Sequence, residues 1–410
     1  MVKVLLFLGM ISLMATCRNN DGTSLQLKER KDMVLSRAEE QMKEEGTEFA
    51  FRFFKQVNQT EMNEPNWMVS PLSASLALGM LSNGAEGNTL TEMKNALGFT
   101  NSTLEEMNLY NQKLTGELLQ LDYTTTLGIA NSIWIQKGFK VYNPFVKVNK
   151  RMYKAKVSNL DFSSPKAPGV INDWCSDHTN RCIKDVVKMI PASARMYLLN
   201  ALYFKGMWKE KFDEKQTELK EFYNADGSKS MVHTMQQTKS FLYTSGDNFS
   251  MAEFPYGNEA FSMVVILPDE GRKLDDVMDN LTFESWYELN QQLSRKKLEV
   301  SFPRFEVKYK KDLVDDMKAL GMKDAFTGDA NFSAISSSPL YVGLLEQYTY
   351  IKVDEQGTEA AAVTVVGLMR NAAPSSVPSV IPFTVNRPFA YIIKEKSTGA
   401  ILFMGKVSKL

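Results

Sequence analysis

The sequence predicts an α+β domain, because helical patterns dominate its first half and strand patterns its second half. The chain has 410 residues, of which 44% are hydrophobic, a composition typical of a protein with a large core. The predicted helices and strands do not alternate regularly, so a doubly wound parallel sheet is not expected. Since no linker divides the chain, we predict one domain over residues 44–410.

The N-terminus has the features of an export signal. One positive charge precedes an apolar run over residues 4–14, which is too short for a permanent membrane span. Cys17 directly follows residues 1–16, the predicted signal peptide, in a way that resembles the lipobox of a bacterial lipoprotein, although Met14 and Thr16 depart from its tightest form. A plain signal peptide with an incidental cysteine is the alternative. Residues 17–43 are polar and would suit a tether, so we expect a secreted protein, or one anchored to a bacterial membrane through Cys17.

Helical spacing and capping residues mark the predicted helices. Residues 48–57 place Phe49, Phe53 and Val57 on one face. Ser70 is a good N-cap and Pro71 is tolerated at the first helical position, so a second helix is expected to begin there. That helix has almost no charge and should be buried on most sides. Three further helices are predicted, over residues 104–121, 171–179 and 312–320.

Strand patterns become frequent after the first third of the chain. Residues 127–136 alternate and are rich in Ile, which favours a strand. Residues 196–204 form a continuous apolar run, which predicts a central strand with both faces covered. The remaining predicted strands lie at residues 250–254, 261–267, 298–302 and 391–394.

Charge and motif content exclude several function classes. The 48 basic and 48 acidic residues cancel, so bulk charge gives no reason to expect a nucleic-acid partner. The chain has two histidines and contains no HExxH, Walker or GxSxG motif, so we do not expect an enzyme or a cofactor. Cys175 and Cys182 could form a disulfide in an exported protein, but two separate thiols are the favoured state. Two cysteines alone cannot make a zinc site.

Four segments resemble the serpin family and occur in the family's order. They are residues 66–89, 199–212, 302–326 and 353–364, followed by shorter matches at 386–389 and 403–406. The resemblance implies the serpin fold, with about eight or nine helices, three β-sheets and an exposed reactive-centre loop at about residues 355–382. It also implies a monomeric protease inhibitor.

The fourth segment has two different faces if it is extended, because side chains alternate along a strand. One face carries Thr358, Ala360, Ala362 and Thr364. These side chains are all small, so this face could enter a packed sheet without overfilling it. An alanine-rich helical turn is the alternative. The predicted hinge comprises Glu355, Gly357, Thr358, Ala360, Ala361 and Ala362, with Gly357 as its pivot.

The resemblance implies a suicide-substrate mechanism for this segment. A serine protease, or a cysteine protease, cleaves the loop and forms an acyl-enzyme, and the cleaved loop then inserts into the central sheet as a new strand. Large or charged residues on the inserting face would instead indicate a non-inhibitory carrier or chaperone. The sequence has none there.

The residue before the scissile bond sets the target protease. Counting from Glu355 by the family's usual spacing reaches Asn371, which suits an asparagine-specific protease. Arg370, one residue earlier, suits a trypsin-like enzyme whose specificity pocket holds an aspartate; a solvated loop charge is the alternative. Met369 suits chymotrypsin-like or elastase-like enzymes. We favour Arg370, then Asn371, then Met369, so the bait bond is expected within residues 369–372, up to Ala372.

The resemblance also assigns residues to the region where the sheet must open. Ser70, Ser73 and Asn200 belong beneath the sheet, and Trp208 belongs near the point where insertion begins. Gln347 stands where the family often has a histidine, so pH-dependent gating through that position is not expected.

The helix predicted after residue 103 bears on heparin binding. It carries Glu105, Glu106, Glu117 and Asp122, with Lys113 as its single basic residue. The matching helix is usually basic in serpins that bind heparin, so we expect no heparin activation.

Overall fold

The computed structural model describes residues 29–358 and 379–410. The predicted signal sequence and Cys17 lie outside the described residues. No helix of the described part is long and apolar enough to cross a membrane.

The helices match the expected number. The described residues form α1 (Arg37–Thr60), α2 (Pro71–Ser82), α3 (Gly87–Ala96), α4 (Leu104–Leu118), α5 (Asn143–Met152), α6 (Ala167–His178), α7 (Leu274–Asn280), α8 (Phe283–Gln292) and α9 (Val314–Ala319). Two short 3-10 helices occur at Glu214–Gln216 and Asp324–Phe326. Each helix that the sequence predicted is present, and Ser70 caps α2 as expected.

The first helix starts earlier than predicted, within the segment that we expected to be a tether. Ser36 and Glu39 form a capping box, in which each side chain accepts a hydrogen bond from the other residue's backbone N–H. Such a box satisfies two backbone donors at a helix start. Helical structure therefore begins at Arg37, although the apolar face that identified the helix begins only at Phe49.

The strands are β1 (Asn66–Val69), β2 (Thr125–Gln136), β3 (Lys156–Leu160), β4 (Met196–Met207), β5 (Glu218–Tyr223), β6 (Lys229–Gly246), β7 (Phe249–Pro255), β8 (Phe261–Pro268), β9 (Ser294–Pro303), β10 (Phe305–Asp312), β11 (Glu346–Asp354), β12 (Gly357–Thr358), β13 (Ile381–Thr384), β14 (Phe389–Glu395) and β15 (Ile401–Val407). Several of them, including β5 and β6, were not predicted.

Hydrogen bonding joins these strands into two sheets where three were expected. The larger sheet has the order β1-β15-β14-β8-β7-β6-β9-β13, with β5 attached to β6. Two sheets are found instead of three because β6 is long: it pairs with β5 and β9 and then continues far enough to pair with β7, which joins all these strands into one sheet. The smaller sheet has the order β10-β11-β12-β4-β2-β3. The α+β class expected from the sequence is confirmed.

Two clusters of buried side chains hold the layers together. The main core includes Trp67 and the fully buried strands β8, β14 and β15. A smaller cluster between α6 and the six-stranded sheet contains Trp134, Ile171 and Trp174. Strand β4 differs from the prediction, because residues 196–200 are only half-buried. These half-buried residues of β4 border the candidate functional site.

Candidate functional site

A tight hairpin joins β11 to β12 at the predicted hinge. Val353 pairs with Thr358 and Asp354 pairs with Gly357, so the turn consists of Glu355 and Gln356. The other edge of β12 pairs with β4. The two residues of β12 therefore lie between β4 and β11.

Gly357 is required by the close approach of β12 to β4. Its φ is +149°, and a β-carbon at this position would lie 2.0 Å from the carbonyl oxygen of Gly206. No L side chain can be accommodated at that distance. The pivot role that the sequence suggested thus coincides with a steric requirement in the folded protein.

Glu355 anchors the turn through an ion pair. Its carboxylate accepts hydrogen bonds from Nε of Arg304, at 2.8 and 2.9 Å, and from the Thr217 hydroxyl. Nη2 of Arg304 is 2.7 Å away, and the Glu355 side chain is only 3% exposed. Burial by itself raises the pKa of Glu355, but the bonds from Arg304 and Thr217 outweigh burial and hold the pKa below its ordinary value.

Stacked aromatic rings cover the hinge from the core side. The rings of Trp208 and Tyr256 are 4.5 Å apart and nearly parallel. Nε1 of Trp208 donates to the carbonyl of Asp354, and its backbone N–H donates to the carbonyl of Gln356, each at 2.9 Å. The hydroxyls of Tyr256 and Thr358 lie 2.5 Å apart. Burial raises the pKa of Tyr256 well above its ordinary value, so its hydroxyl stays protonated and available to this contact.

Below the hinge, β4 and β11 border a position in the six-stranded sheet that continues the line of β12, and we call this position the slot. Residues 196–205 of β4 pair with β2, and residues 346–352 of β11 pair with β10. The edges that face each other have no strand partner among the described residues. Since β12 separates the two strands at the top, they stand two strand spacings apart there, about 10 Å. At the level of β12, the slot is therefore one strand wide.

Strand β11 is fixed to the start of α2 on the core side of the slot. The side-chain oxygen of Gln347 accepts from the backbone N–H of Ser70, and its amide nitrogen donates to the Ser70 carbonyl, both at 2.8 Å. The Ser70 hydroxyl accepts from Ser73 and donates to the carbonyl of Leu402. Gln347 thus supplies both a donor and an acceptor, which a neutral imidazole could also do.

Strand β4 is fixed separately on the other side of the slot. Nδ2 of Asn200 donates to Oδ1 of Asn131 on β2 at 2.7 Å, and Asn131 in turn donates to the carbonyl of Tyr153. Oδ1 of Asn200 is buried and accepts no hydrogen bond from any described residue. This acceptor lies on β4, the strand that borders the slot.

The structure brings together some of the predicted site residues and separates others. Of the predicted hinge residues, Glu355, Gly357 and Thr358 lie together at the turn, and Trp208 packs against it. Ser70, Ser73 and Gln347 form one hydrogen-bonded group at the slot, whereas Asn200 is bonded to β2. Ala360, Ala361 and Ala362, and the bait candidates Met369, Arg370, Asn371 and Ala372, lie outside the described residues.

Sequence reasoning missed three residues that hold the hinge. Arg304, Thr217 and Tyr256 come from three separate parts of the chain and meet only in the fold. Arg304 lies inside one of the four family segments, but nothing in the sequence pairs it with Glu355.

Cys175 and Cys182 are not joined in a disulfide. Cys175 is buried against Trp174 in the smaller core cluster, and burial raises the pKa of its thiol to about 12. The two thiols therefore remain separate, the favoured alternative from the sequence.

Known proteins resemble this chain along nearly its whole length. A family model described as Serpin (serine protease inhibitor) matches residues 44–410. An uncharacterized serpin-like protein of Methanosarcina mazei is 33% identical over 366 residues, which cover 88% of this chain and 85% of that protein. Neuroserpin of Gallus gallus is 32% identical, with 88% and 90% covered. The native state of the thermophilic serpin tengpin has a TM-score of 0.82 at 29% identity, with 94% of this chain and 98% of that chain covered.

Proposed function

Because this chain belongs to the serpin family of serine protease inhibitors, we propose that it traps an endopeptidase as a covalent complex by a suicide-substrate mechanism. The observation that supports this mechanism most directly is the position of β12 between β4 and β11, whose facing edges below it pair with no other described strand.

Until the loop is cut, the catalytic groups are those of the protease. The catalytic serine oxygen of the protease attacks the carbonyl carbon of the bait residue and forms an ester. The peptide bond to the next residue breaks, and its nitrogen leaves with a proton from the protease's general acid. The loop upstream of the cut, still esterified to the protease, is then free to enter the slot before water hydrolyses the ester.

The register of β12 specifies where the loop would lie in the slot. Thr358 pairs with Gly206 and Val353, so an extension in the same register places Ala360 opposite Phe204 and Ile351. Thr364 would stand opposite Asn200 and Gln347. The Thr364 hydroxyl could then donate to Oδ1 of Asn200, the buried acceptor that has no partner among the described residues.

The sizes of the side chains support insertion in this register. Thr358, the first residue of the small-residue face, is 1% exposed and points toward Tyr256 in the main core. Ala360, Ala362 and Thr364 share that face because side chains alternate along a strand. They would therefore point into the same core, where large or charged residues would be rejected.

The length of the slot is consistent with the bait candidates. In the register of β12, residue 368 would stand opposite Met196, the first residue of β4. A cut after Met369, Arg370 or Asn371 would leave enough chain upstream to fill the slot. We propose Arg370 as the bait and a trypsin-like protease as the target, with Asn371 and then Met369 as the alternatives.

We also propose that the protein acts outside the cell, anchored through Cys17 or freely secreted after removal of residues 1–16. The apolar run at residues 4–14 and the position of Cys17 behind it support this location. Metabolic labelling with a fatty-acid analogue, compared between the native chain and Cys17→Ser, separates the two forms.

The test is incubation with trypsin at near-equal molar ratio, followed by a denaturing gel and mass spectrometry. A covalent band at the summed mass, with a released peptide that begins at Asn371, supports the proposal. Chymotrypsin and elastase extend the test to the other bait residues. Cleavage without a covalent band and without a gain in thermal stability contradicts the trap, and a carrier function would then be the better hypothesis.

A matched pair of variants tests the insertion step separately. Ala362→Glu places a carboxylate on the face that would enter the core, opposite the buried residues Leu202 and Thr349. Ala361→Glu places the same group on the opposite face. We expect Ala362→Glu to be cleaved without trapping trypsin and Ala361→Glu to trap it. Equal trapping by both variants would contradict the proposed register.

A further inference from the structure

A basic pocket lies at the open edge of β2, away from the hinge and the slot. It has a volume of about 450 Å³ and opens to solvent, and its lining residues are Ile129, Ala130, Asn131, Lys154, Lys156, Trp174 and His178. This volume is in the range of small-molecule sites. We propose that the pocket binds a small oxyanion, such as the phosphate or carboxylate group of a small molecule.

The pocket exists because β3 covers only part of β2. The parallel pairing of these strands starts at Ser132 and Lys156, so residues 129–131 border the pocket without a strand on that side among the described residues. Along an antiparallel pair such as β2 and β4, every second residue directs its N–H away from the partner strand. The open edge therefore offers backbone donors as well as side chains.

The charges around the pocket are of one sign. Lys154 and Lys156 both line it and are exposed, and no lining residue is acidic. Neither ammonium group forms a salt bridge with a carboxylate of the described chain. Lys209 and Lys310 differ, because each contacts a glutamate.

The fold constrains the backbone of one of these lysines and the ammonium group of the other. Lys154 has a left-handed backbone with φ of +51°, an uncommon conformation for a lysine that the surrounding fold must impose. Nζ of Lys156 lies 5.1 Å from the centre of the Trp134 ring, which favours a fixed position for its charge.

His178 adds a donor or acceptor whose direction is defined. Its Nδ1 lies 2.7 Å from the carbonyl oxygen of Trp174, and a carbonyl can only accept, so Nδ1 carries a proton. The imidazole also packs against the Trp174 ring, with 4.5 Å between the ring centres. Nε2 is therefore the ring nitrogen left for a ligand, and it donates to an oxyanion when the ring is protonated.

Histidine NMR provides a direct test, because the chain contains two histidines, His178 and His233. His233 is exposed on β6 and does not line the pocket, so it serves as an internal control. Protein labelled with ¹³C at the histidine rings is titrated with inorganic phosphate and then with acetate, at constant pH and at an ionic strength held with chloride. We expect a saturable shift of the His178 signal, which His178→Gln identifies by its loss, and no saturable shift of the His233 signal.

Two double variants decide whether the pocket is responsible. Lys154→Ala with Lys156→Ala should weaken phosphate binding at least tenfold. Lys147→Ala with Lys150→Ala removes the same charge from exposed positions on α5 outside the pocket and should leave binding within about twofold. Equal loss in both variants, a shift that does not saturate, or equal shifts at both histidines would overturn the proposal. Saturation by one of the two anions alone would support it and define the oxyanion.

Discussion

Replacing Glu355 with glutamine is expected to loosen the hinge while leaving its shape almost unchanged. The substitution removes the charge that Arg304 contacts through Nε at 2.8 and 2.9 Å and through Nη2 at 2.7 Å. A hydrogen bond to a charged group contributes about 1.5–3 kcal/mol. Because the Arg304 side chain is 41% exposed, water competes for it, and we expect a total loss of about 2 kcal/mol. This loss corresponds to about a 30-fold increase in hinge opening.

Hydrogen–deuterium exchange measures this opening. In a peptide that covers residues 353–358, the protection of the backbone amides should fall about 30-fold in Glu355→Gln. The matched control is Glu306→Gln on β10, which removes an ion pair to Lys308 whose two side chains are 45% and 70% exposed. Exposed pairs contribute little, so the control should stay within about threefold of the native protein. If Glu355→Gln also stays within threefold, the ion pair does not hold the hinge.

The pH dependence of the same measurement has a defined sign. The pKa of Glu355 is lowered in the folded protein, so its contribution is fully present above the ordinary carboxyl pKa of about 4.3. It is lost as the pH falls through the lowered folded value. Protection of the native hinge, corrected for intrinsic exchange, should therefore decrease below about pH 4, whereas Glu355→Gln should show no such decrease.

Three further outcomes are expected from other parts of the structure. Gly357→Ala should unpair β12 from β4, since its β-carbon would overlap a backbone carbonyl; loss of amide protection at the hinge would show this, and unchanged protection would contradict it. Lys311→Met should lower the free energy of unfolding by about 3 kcal/mol at pH 7, because it leaves the buried Asp316 without its cation. Burial raises the pKa of Asp316, so denaturant titrations should show a smaller loss at pH 5; an equal loss at both values would argue against Asp316. A thiol reagent should modify Cys182 in the native protein without prior reduction, and Cys175 only after unfolding; rapid modification of both would contradict the burial of Cys175.

Local patterns in the sequence were sufficient to predict the helices and strands whose own residues form a clear apolar or capping pattern. The apolar run at residues 196–204 corresponds to β4, and Ser70 with Pro71 marks the start of α2. Elements with weaker patterns were missed, among them β5 and β6, whose exposed faces mix charged, polar and apolar residues. The start of α1 at Arg37 was also missed, because it depends on a cap and not on an apolar face.

The sequence by itself determined the family and the α+β class and was sufficient to predict a hinge at residues 355–362, because ordered motifs and the small alternating face at residues 358–364 are properties of neighbouring residues. Only the tertiary structure decided which groups hold that hinge. Arg304 and Thr217 reach Glu355 from positions 51 and 138 residues earlier in the chain, and β4 and β11, which border the slot, are each fixed to a different neighbour. Such contacts depend on how strands and helices pack, and a single sequence carries no local signal for them.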